Sequence, residues 1–207
     1  LRIKAADVEL RPMTESDLPT IADLLPVDVE VDPTSVTYPG YDQRMTRATI
    51  VYQGYWKAFG TWSPEAWRLG FAVFSHGRMI GYQELEGNDF LRLRTVESSS
   101  FLIPEYRGRG LGKQMRRAVL TLAFGPLKAE AAITEAWHDN HTSLGVSRSL
   151  GYRPNGELSR RRGESIDLMI HLRLRRSDWL AQGLGDQVRI SGFEACRPLF
   201  GLTEDGK

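Results

Sequence analysis

The sequence predicts an α/β domain of the α+β kind, built on a mixed and mostly antiparallel sheet. Three observations carry that prediction. Residues 68–76 and 79–85 are alternating runs joined through His76-Gly77-Arg78, a hairpin signal. A second hairpin is written into 152–160 and 164–174, turning at Arg162-Gly163. Between the two, 94–103, 110–124 and 131–137 read as strand, helix and strand. Hairpins around a single crossover make a mixed sheet rather than a doubly wound parallel one.

The remaining elements follow in order. VELRP at 8–12 alternates and reads as a strand. Thr14 is placed as a helix N-cap with Asp17 at the capping-box position, and Pro26 ends the helix after Leu25. Residues 26–40 hold three prolines and read as an irregular loop. Met45, Thr49, Tyr52, Trp56 and Phe59 recur at steps of three and four, the period of a helix over 42–60. The helix at 110–124 shows one apolar stripe of Leu111, Met115, Ala118, Val119, Leu122 and Ala123. Asn140 caps a helix over 140–150 that Gly151 stops. VRISGF is a short strand candidate beyond Trp179. We expect one domain over 1–207, with about 180–207 as a C-terminal extension.

Composition narrows the classes of function. A chain of 207 residues can bury a core without disulfides or metals. Lys plus Arg is 27 against 26 for Asp plus Glu, a net charge of +1, which argues against a dedicated nucleic-acid binder. Cys196 is the sole cysteine, so neither an intrachain disulfide nor a cysteine zinc site is available. His138 and His141 are the one close pair among four histidines, and a helix cap is a poor metal cage, so no metal is expected. No apolar run reaches about 18 residues and nothing at the start reads as a secretory leader, so the expectation is a cytoplasmic protein away from the membrane.

The chemistry concentrates at Arg107-Gly108-Arg109-Gly110-Leu111-Gly112, between a strand and a helix. Glycines let the backbone approach a ligand, and the first amides of a helix favour an anion. Arg107 and Arg109 add charge suited to phosphate oxygens. A pyrophosphate fits such a turn. The plainer reading is a helix-starting turn with solvated arginines. A P-loop is excluded because the sequence lacks G-x-x-x-x-G-K-[ST], and a dinucleotide fold would need this turn in an early unit. A second constellation follows: Asn140-His141-Thr142-Ser143, then Val146, then Leu150-Gly151-Tyr152.

Together the two constellations resemble the GNAT N-acetyltransferase superfamily. FLIPEYRGRGLG is similar to the W-L-x-P-E-Y-R-G-x-G pattern of its ribosomal-protein-acetylating branch, and N-x-x-S-x-x-V-x-x-x-x-G-[FY] is the second signature of that branch. The resemblance runs over roughly 68–180. The tail VRISGFEACRPLFG also resembles mycobacterial succinyltransferases of this superfamily. The resemblance implies a GNAT fold: about seven strands, splayed between two central parallel strands, with about four flanking helices. The central pair would be 94–103 and 131–137.

The resemblance also implies roles. Phe101, Leu102 and Ile103 would lend backbone groups to the pantetheine arm of coenzyme A, and the amides of Arg107, Gly108, Arg109, Gly110, Leu111 and Gly112 would hold its pyrophosphate. Asn140 would contact the pantetheine, and Ser143 would sit near the thioester sulfur and protonate the leaving thiolate. Glu97, on the 94–103 strand, is the candidate general base, with an ordinary strand carboxylate paired to an arginine as the other reading. His138 ranks below it, because a histidine beside a helix cap is more often structural.

Other features have two readings each. Arg160-Arg161-Arg162 is a turn with solvated charges or an RNA-docking patch. Tyr52, Tyr55, Trp56, Phe59, Trp62 and Trp67 are core aromatics or the lining of an acceptor pocket. Cys196 reads as a packed thiol. The expected protein is an acyl-CoA-dependent N-acyltransferase. It moves an acetyl or succinyl group from acetyl-CoA or succinyl-CoA to an amine by direct attack in a ternary complex. The amine is a protein N-terminus, a lysine or a small molecule. Arg44, Arg47 or Arg78 would clamp a succinyl carboxylate. A homodimer is expected from the family. A non-catalytic acyl-CoA sensor and an RNA- or ribosome-docking module are the alternatives.

Overall fold

The computed structural model describes residues 1–30 and 38–202, so part of the 26–40 loop lies outside the described residues. The strands are β1 (Arg2–Ala5), β2 (Val8–Pro12), β3 (Trp67–Ser75), β4 (Arg78–Gly87), β5 (Thr95–Leu102), β6 (Ala131–Trp137), β7 (Arg153–Arg162), β8 (Ser165–Arg175) and β9 (Val188–Ser191). They form one sheet among the described residues, in the order β7-β8-β6-β5-β4-β3-β2-β1-β9. Each neighbouring pair is antiparallel except β5 and β6. The helices are α1 (Leu18–Leu24), α2 (Gln43–Gly60), α3 (Phe90–Leu93), α4 (Leu111–Phe124), α5 (His141–Ser149) and α6 (Arg176–Gln182).

The mixed sheet and its crossover are as the sequence predicts, with more strands than the seven expected. The additions are β9, the strand candidate of the tail, and β1, which pairs with β2 on one side and with β9 on the other. β1 has only four residues and its second partner comes from the tail, so no local window marks it. The short α3 and α6 are likewise additions to the four predicted helices. The first predicted helix opens as a single 3-10 turn, Glu15–Asp17, before α1 begins. Thr14 N–H donates to the Asp17 carboxylate at 2.8 Å, the reciprocal half of a capping box. Arg11 grips the same carboxylate at 2.7 Å. That contact, and then the Thr14 hydrogen bonds, hold Asp17 down to about 2.

Turn chemistry sets the hairpins. His76 and Gly77 are both left-handed, with φ of 48° and 78°, as a two-residue turn matched to strand twist requires. The last hairpin turns at Gly163-Glu164, one residue beyond the predicted position. α4 buries its predicted stripe: Met115, Ala118, Val119, Leu122 and Ala123 are almost wholly enclosed with Ile3, Leu10, Val96 and Ala132 of the sheet. Losing one such leucine to alanine costs about 2–5 kcal/mol. The opposite face of the sheet carries α1 and α2.

The period read along α2 marks its outer face. Met45, Trp56 and Phe59 are 47%, 51% and 77% exposed, while Arg47 is the buried residue of the helix. Arg47 donates to the carbonyls of Val29 and Pro26 and so ties α2 to the loop beyond α1.

β5 and β6 pair over three residues only, Thr95 with Ala131, Val96 with Ala132 and Glu97 with Ile133. Beyond them the two strands part. Side chains replace the missing ladder there: Thr134 Oγ1 donates to Ser98 O at 3.1 Å, and Arg116 of α4 donates to Thr134 Oγ1 at 3.2 Å. A buried polar bridge thus links the two strands where their ladder ends.

Candidate active site

The glycine turn leads into α4. Pro104–Tyr106 form a 3-10 turn, and Gly108 and Gly110 follow with φ of 72° and 76°, the second as N-cap of α4. A side chain at either position would be strained. The conformation turns a run of amides outward. Arg107 N–H is spent on Pro104 O at 3.1 Å, but among the described residues no carbonyl takes the amides of Gly108 through Lys113. A helix leaves its first amides unpaired, and its dipole favours negative charge there. The anion nest thus begins at Gly108 rather than at Arg107.

The two arginines divide. Arg109 lies over the Tyr106 ring at 5.4 Å, beside the nest. Arg107 turns away: Nε donates to Leu102 O at 2.9 Å and its other nitrogens clamp Asp28, with Nη2 to Oδ1 at 2.9 Å. This pairing draws the Asp28 carboxyl below its ordinary value. Arg107 therefore anchors the loop after α1 to the turn and offers its guanidinium to Asp28 instead of a phosphate.

The open edge of β5 lies next to the nest. Ile103 N–H donates to Ile80 O at 3.0 Å, and the register sets Phe101 opposite Tyr82. Strand alternation then points the backbone groups of Ser98, Ser100 and Leu102 into the gap. Of the three residues the sequence assigned to this edge, Leu102 presents its amide to the gap, while Phe101 and Ile103 are turned to β4. The nest and the open edge match the two halves of a coenzyme A chain, a pyrophosphate and an amide-bearing arm. On α5, Asn140 is the N-cap, its side chain accepting from Ser143 N–H at 3.0 Å, which leaves its amide nitrogen free to donate. Ser143 sits half-buried in the first turn, and no hydrogen bond engages its hydroxyl among the described residues.

On the α2 face, the sheet carries a row of carboxylates. Glu84 and Glu86 of β4 stand opposite Ser99 and Glu97 of β5, and Glu97 is the last β5 residue paired with β6. Arg68 binds Glu86 at 2.6 Å and lies 3.7 Å from Glu84. Glu135 of β6 takes Arg160 at 2.8 Å and His171 at 3.6 Å. Glu97 has no ion-pair partner among the described residues. Burial raises its pKa, with Glu86 and Glu135 adding to the effect. It is thus poised closer to neutrality than an ordinary glutamate, which suits a general base.

A cavity of about 810 Å³ opens beside this row, under α1 and α2. Tyr55, Phe59 and Trp62 line it, as do Ser99, Ser100 and Phe101 of β5 and Cys196, Leu199 and Phe200 of the tail. Tyr52 and Trp56 pack on the outer surface instead, and Trp67 is core against Phe90 and Phe200. Glu97 lies two residues along the strand from the lining residue Ser99 and does not line the cavity itself.

Sequence reasoning missed the cavity floor: Arg68, Tyr82 and Glu84. Tyr82 donates to Glu84 at 2.5 Å. Burial raises the Glu84 pKa, and Arg68 and Tyr82 only partly offset it. Burial pushes the Tyr82 phenol well up too, so it stays a donor. The period-two spacing of Tyr82, Glu84 and Glu86 was the available signal.

The other candidates are placed elsewhere. His138 Nδ1 lies 3.0 Å from Asp167, with the histidine exposed and the carboxylate half-buried. Arg44 pairs with Asp23, Arg47 with carbonyls, and Arg78 stacks on Tyr106, so none of the three reaches the cavity. Arg160, Arg161 and Arg162 each hold a carboxylate, with Arg162 joining Glu30, Asp139 and Asp167. No group of three or more candidate metal ligands occurs, and no helix is long and apolar enough to cross a membrane, among the described residues.

A splayed parallel pair, an amide nest and a flanking acid define the class of the coenzyme A-dependent acyltransferases. Within that class the assignment is direct. The family model described as Acetyltransferase (GNAT) domain matches residues 7–153, and the chain belongs to that family. Solved structures share the fold at low identity. A chimera of the Vibrio cholerae spermidine N-acetyltransferase SpeG and hSSAT is 17% identical, with a TM-score of 0.66 over 84% of this chain and 98% of that one. The ribosomal α-N-protein acetyltransferase RimL, in complex with coenzyme A, is 14% identical, with a TM-score of 0.66 over 84% and 98%. A GNAT acetyltransferase from Bacillus anthracis is 17% identical, with a TM-score of 0.63 over 86% and 99%.

Proposed function

We propose that this protein is an acetyl-CoA-dependent N-acetyltransferase acting on a small primary amine by direct attack. The observation that carries the reading is the run of unpaired amides at Gly108–Lys113 beside the open edge of β5. Acetyl-CoA supplies the acyl group as an activated thioester. The nest holds the pyrophosphate, Arg109 adds charge beside it, and the edge of β5 with the Asn140 side chain holds the pantetheine arm. Much of the rate comes from keeping amine and thioester together in the gap.

Glu97 removes a proton from the ammonium, directly or through one water. The freed nitrogen lone pair forms the C–N bond at the thioester carbonyl. The amides of Ser100 and Leu102, which face the gap, donate to the oxyanion that develops. As the carbonyl re-forms and the C–S bond breaks, the Ser143 hydroxyl gives its proton to the departing sulfur and takes the remaining extra proton from the new amide nitrogen. Acetyl is preferred over succinyl as the group transferred. Arg68 is the arginine on the cavity lining, and Glu86 and Glu84 already share its charge. A terminal carboxylate would meet no uncommitted arginine among the described lining residues.

Release of free thiol tests the reading, with acetyl-CoA and succinyl-CoA compared against a panel of primary amines. Amine-dependent thiol release with acetyl-CoA is expected. Coenzyme binding without turnover on any amine would favour a sensor, and faster turnover of succinyl-CoA would reverse the choice of donor.

A further inference from the structure

The cavity beside the gap identifies the kind of amine, on the basis of the acyltransferase reading above. Its walls are apolar: Ile50, Val51 and Tyr55 of α2, Leu69 of β3, Phe101 of β5 and Leu199 of the tail. Its floor is a charged cluster in which Arg68 faces two carboxylates, Glu84 and Glu86. One cation against two anions leaves a single negative charge over. Glu84 is the acid of that cluster on the cavity lining, and the stacked rings of Tyr82 and Phe101, 6.0 Å apart, lie beside it. The other lining acid, Glu30, is held by Arg162 at 2.6 Å. Phe59, 77% exposed, stands at the cavity with its ring largely in water.

We propose that the acceptor is an arylalkylamine, its ammonium bound by Glu84 over the Tyr82–Phe101 pair and its ring enclosed by α2, β3 and the tail. The cavity volume of about 810 Å³ suits such a molecule, since ligand pockets of roughly 300–1,000 Å³ enclose drug-sized compounds. On the cavity lining one unbalanced carboxylate matches one ammonium, and the unpaired Glu97 lies off the lining. A polyamine would drive its second ammonium against apolar wall, and an unpaired buried charge is costly. Aromatic faces beside Glu84 attract a cation. In the antiparallel register Glu84 faces Ser99, with Glu97 on the diagonal at a distance spanned by one water. Glu84 is therefore placed to position the amine for the base.

Three probes decide the matter with acetyl-CoA as donor: 2-phenylethylamine, spermidine and a short peptide with a free N-terminus. The expected kcat/KM for 2-phenylethylamine is at least tenfold above the other two. A preference for spermidine or for the peptide would overturn the proposal. Two variants sharpen it. Gly54 lines the cavity between Ile50 and Ala58, and a Cβ there meets no atom within 4 Å. Gly54→Leu should fill the pocket without strain, raise KM for 2-phenylethylamine at least tenfold and leave acetyl-CoA affinity by calorimetry unchanged. An unchanged KM would contradict the placement. Glu84→Gln should lower kcat/KM for the same amine at least tenfold, chiefly through KM. Quenching of tryptophan fluorescence by 2-phenylethylamine alone reports the pocket apart from the chemistry, through Trp62 on its lining. Amine quenching without acetyl-CoA binding would leave the pocket standing and remove the acyltransferase reading; acetyl-CoA binding with no amine quenching or turnover would do the reverse.

Discussion

On the α4 side of the gap, the cleft is made of backbone: six consecutive amides, two left-handed glycines and one open strand edge. On the α2 side it is made of side chains from α1, α2, β3, β4, β5 and the tail. The difference teaches where specificity resides. In the proposed reading, the backbone groups would hold what every donor of this class shares, a pyrophosphate and an amide-bearing arm, and the side chains would hold what differs between acceptors. A fold therefore constrains the donor more tightly than the acceptor.

The first way to break this division is at the nest. Gly110→Glu puts a carboxylate at the N-cap of α4 and forces a side chain to φ 76°. We expect coenzyme affinity to fall at least about 100-fold, or about 2.7 kcal/mol, by calorimetry, with amine quenching of tryptophan fluorescence retained. Loss of both would mean that the two sides are not separable.

Next is the base between them. Glu97→Gln should lower kcat/KM by roughly 10²–10⁴. Its pKa is raised, so wild-type activity is lost as pH falls through a value above that of an ordinary glutamate, and the variant should lack this acid limb. The fold disfavours the charged form of Glu97, so the variant should also gain in Tm at neutral pH. A retained limb would assign the base elsewhere, with Glu84 first in line.

The glycine turn and the Asn140 cap proposed for the donor were legible in the sequence and the cavity proposed for the acceptor was not, for a physical reason. Arg107 through Gly112 and Asn140 through Ser143 are contiguous, so their spacing alone fixes which amides and hydroxyl point together. Even there, the departure of the Arg107 side chain to Asp28 was hidden, because the contact joins residues 79 apart in sequence. Glu84 was readable only as a strand residue; its burial depends on α2 covering that face, and the period along α2 marked the outer side. β1 was invisible because its pairing with β9 is made by the far end of the chain.

A smaller effect is expected at Ser143. Ser143→Ala should lower kcat by about tenfold with little change in coenzyme affinity, the mark of a contact made only as the thiolate leaves. Equal turnover would remove its acid role. The smallest functional effect belongs to Asp17, remote from both sides. Asp17→Asn loses the Arg11 pair and the box, about 2 kcal/mol and roughly 4–8 °C in Tm, with turnover per folded molecule unchanged. In the wild type, this stability is present above the unfolded value near 3.8 and is lost as pH falls through about 2.

The most direct test of the central claim is calorimetric titration of acetyl-CoA into the wild-type protein and into Gly110→Glu, side by side. The account predicts wild-type binding well below about 1 mM and binding at least about 100-fold weaker by the variant. No binding by the wild type, or equal binding by both, would contradict it.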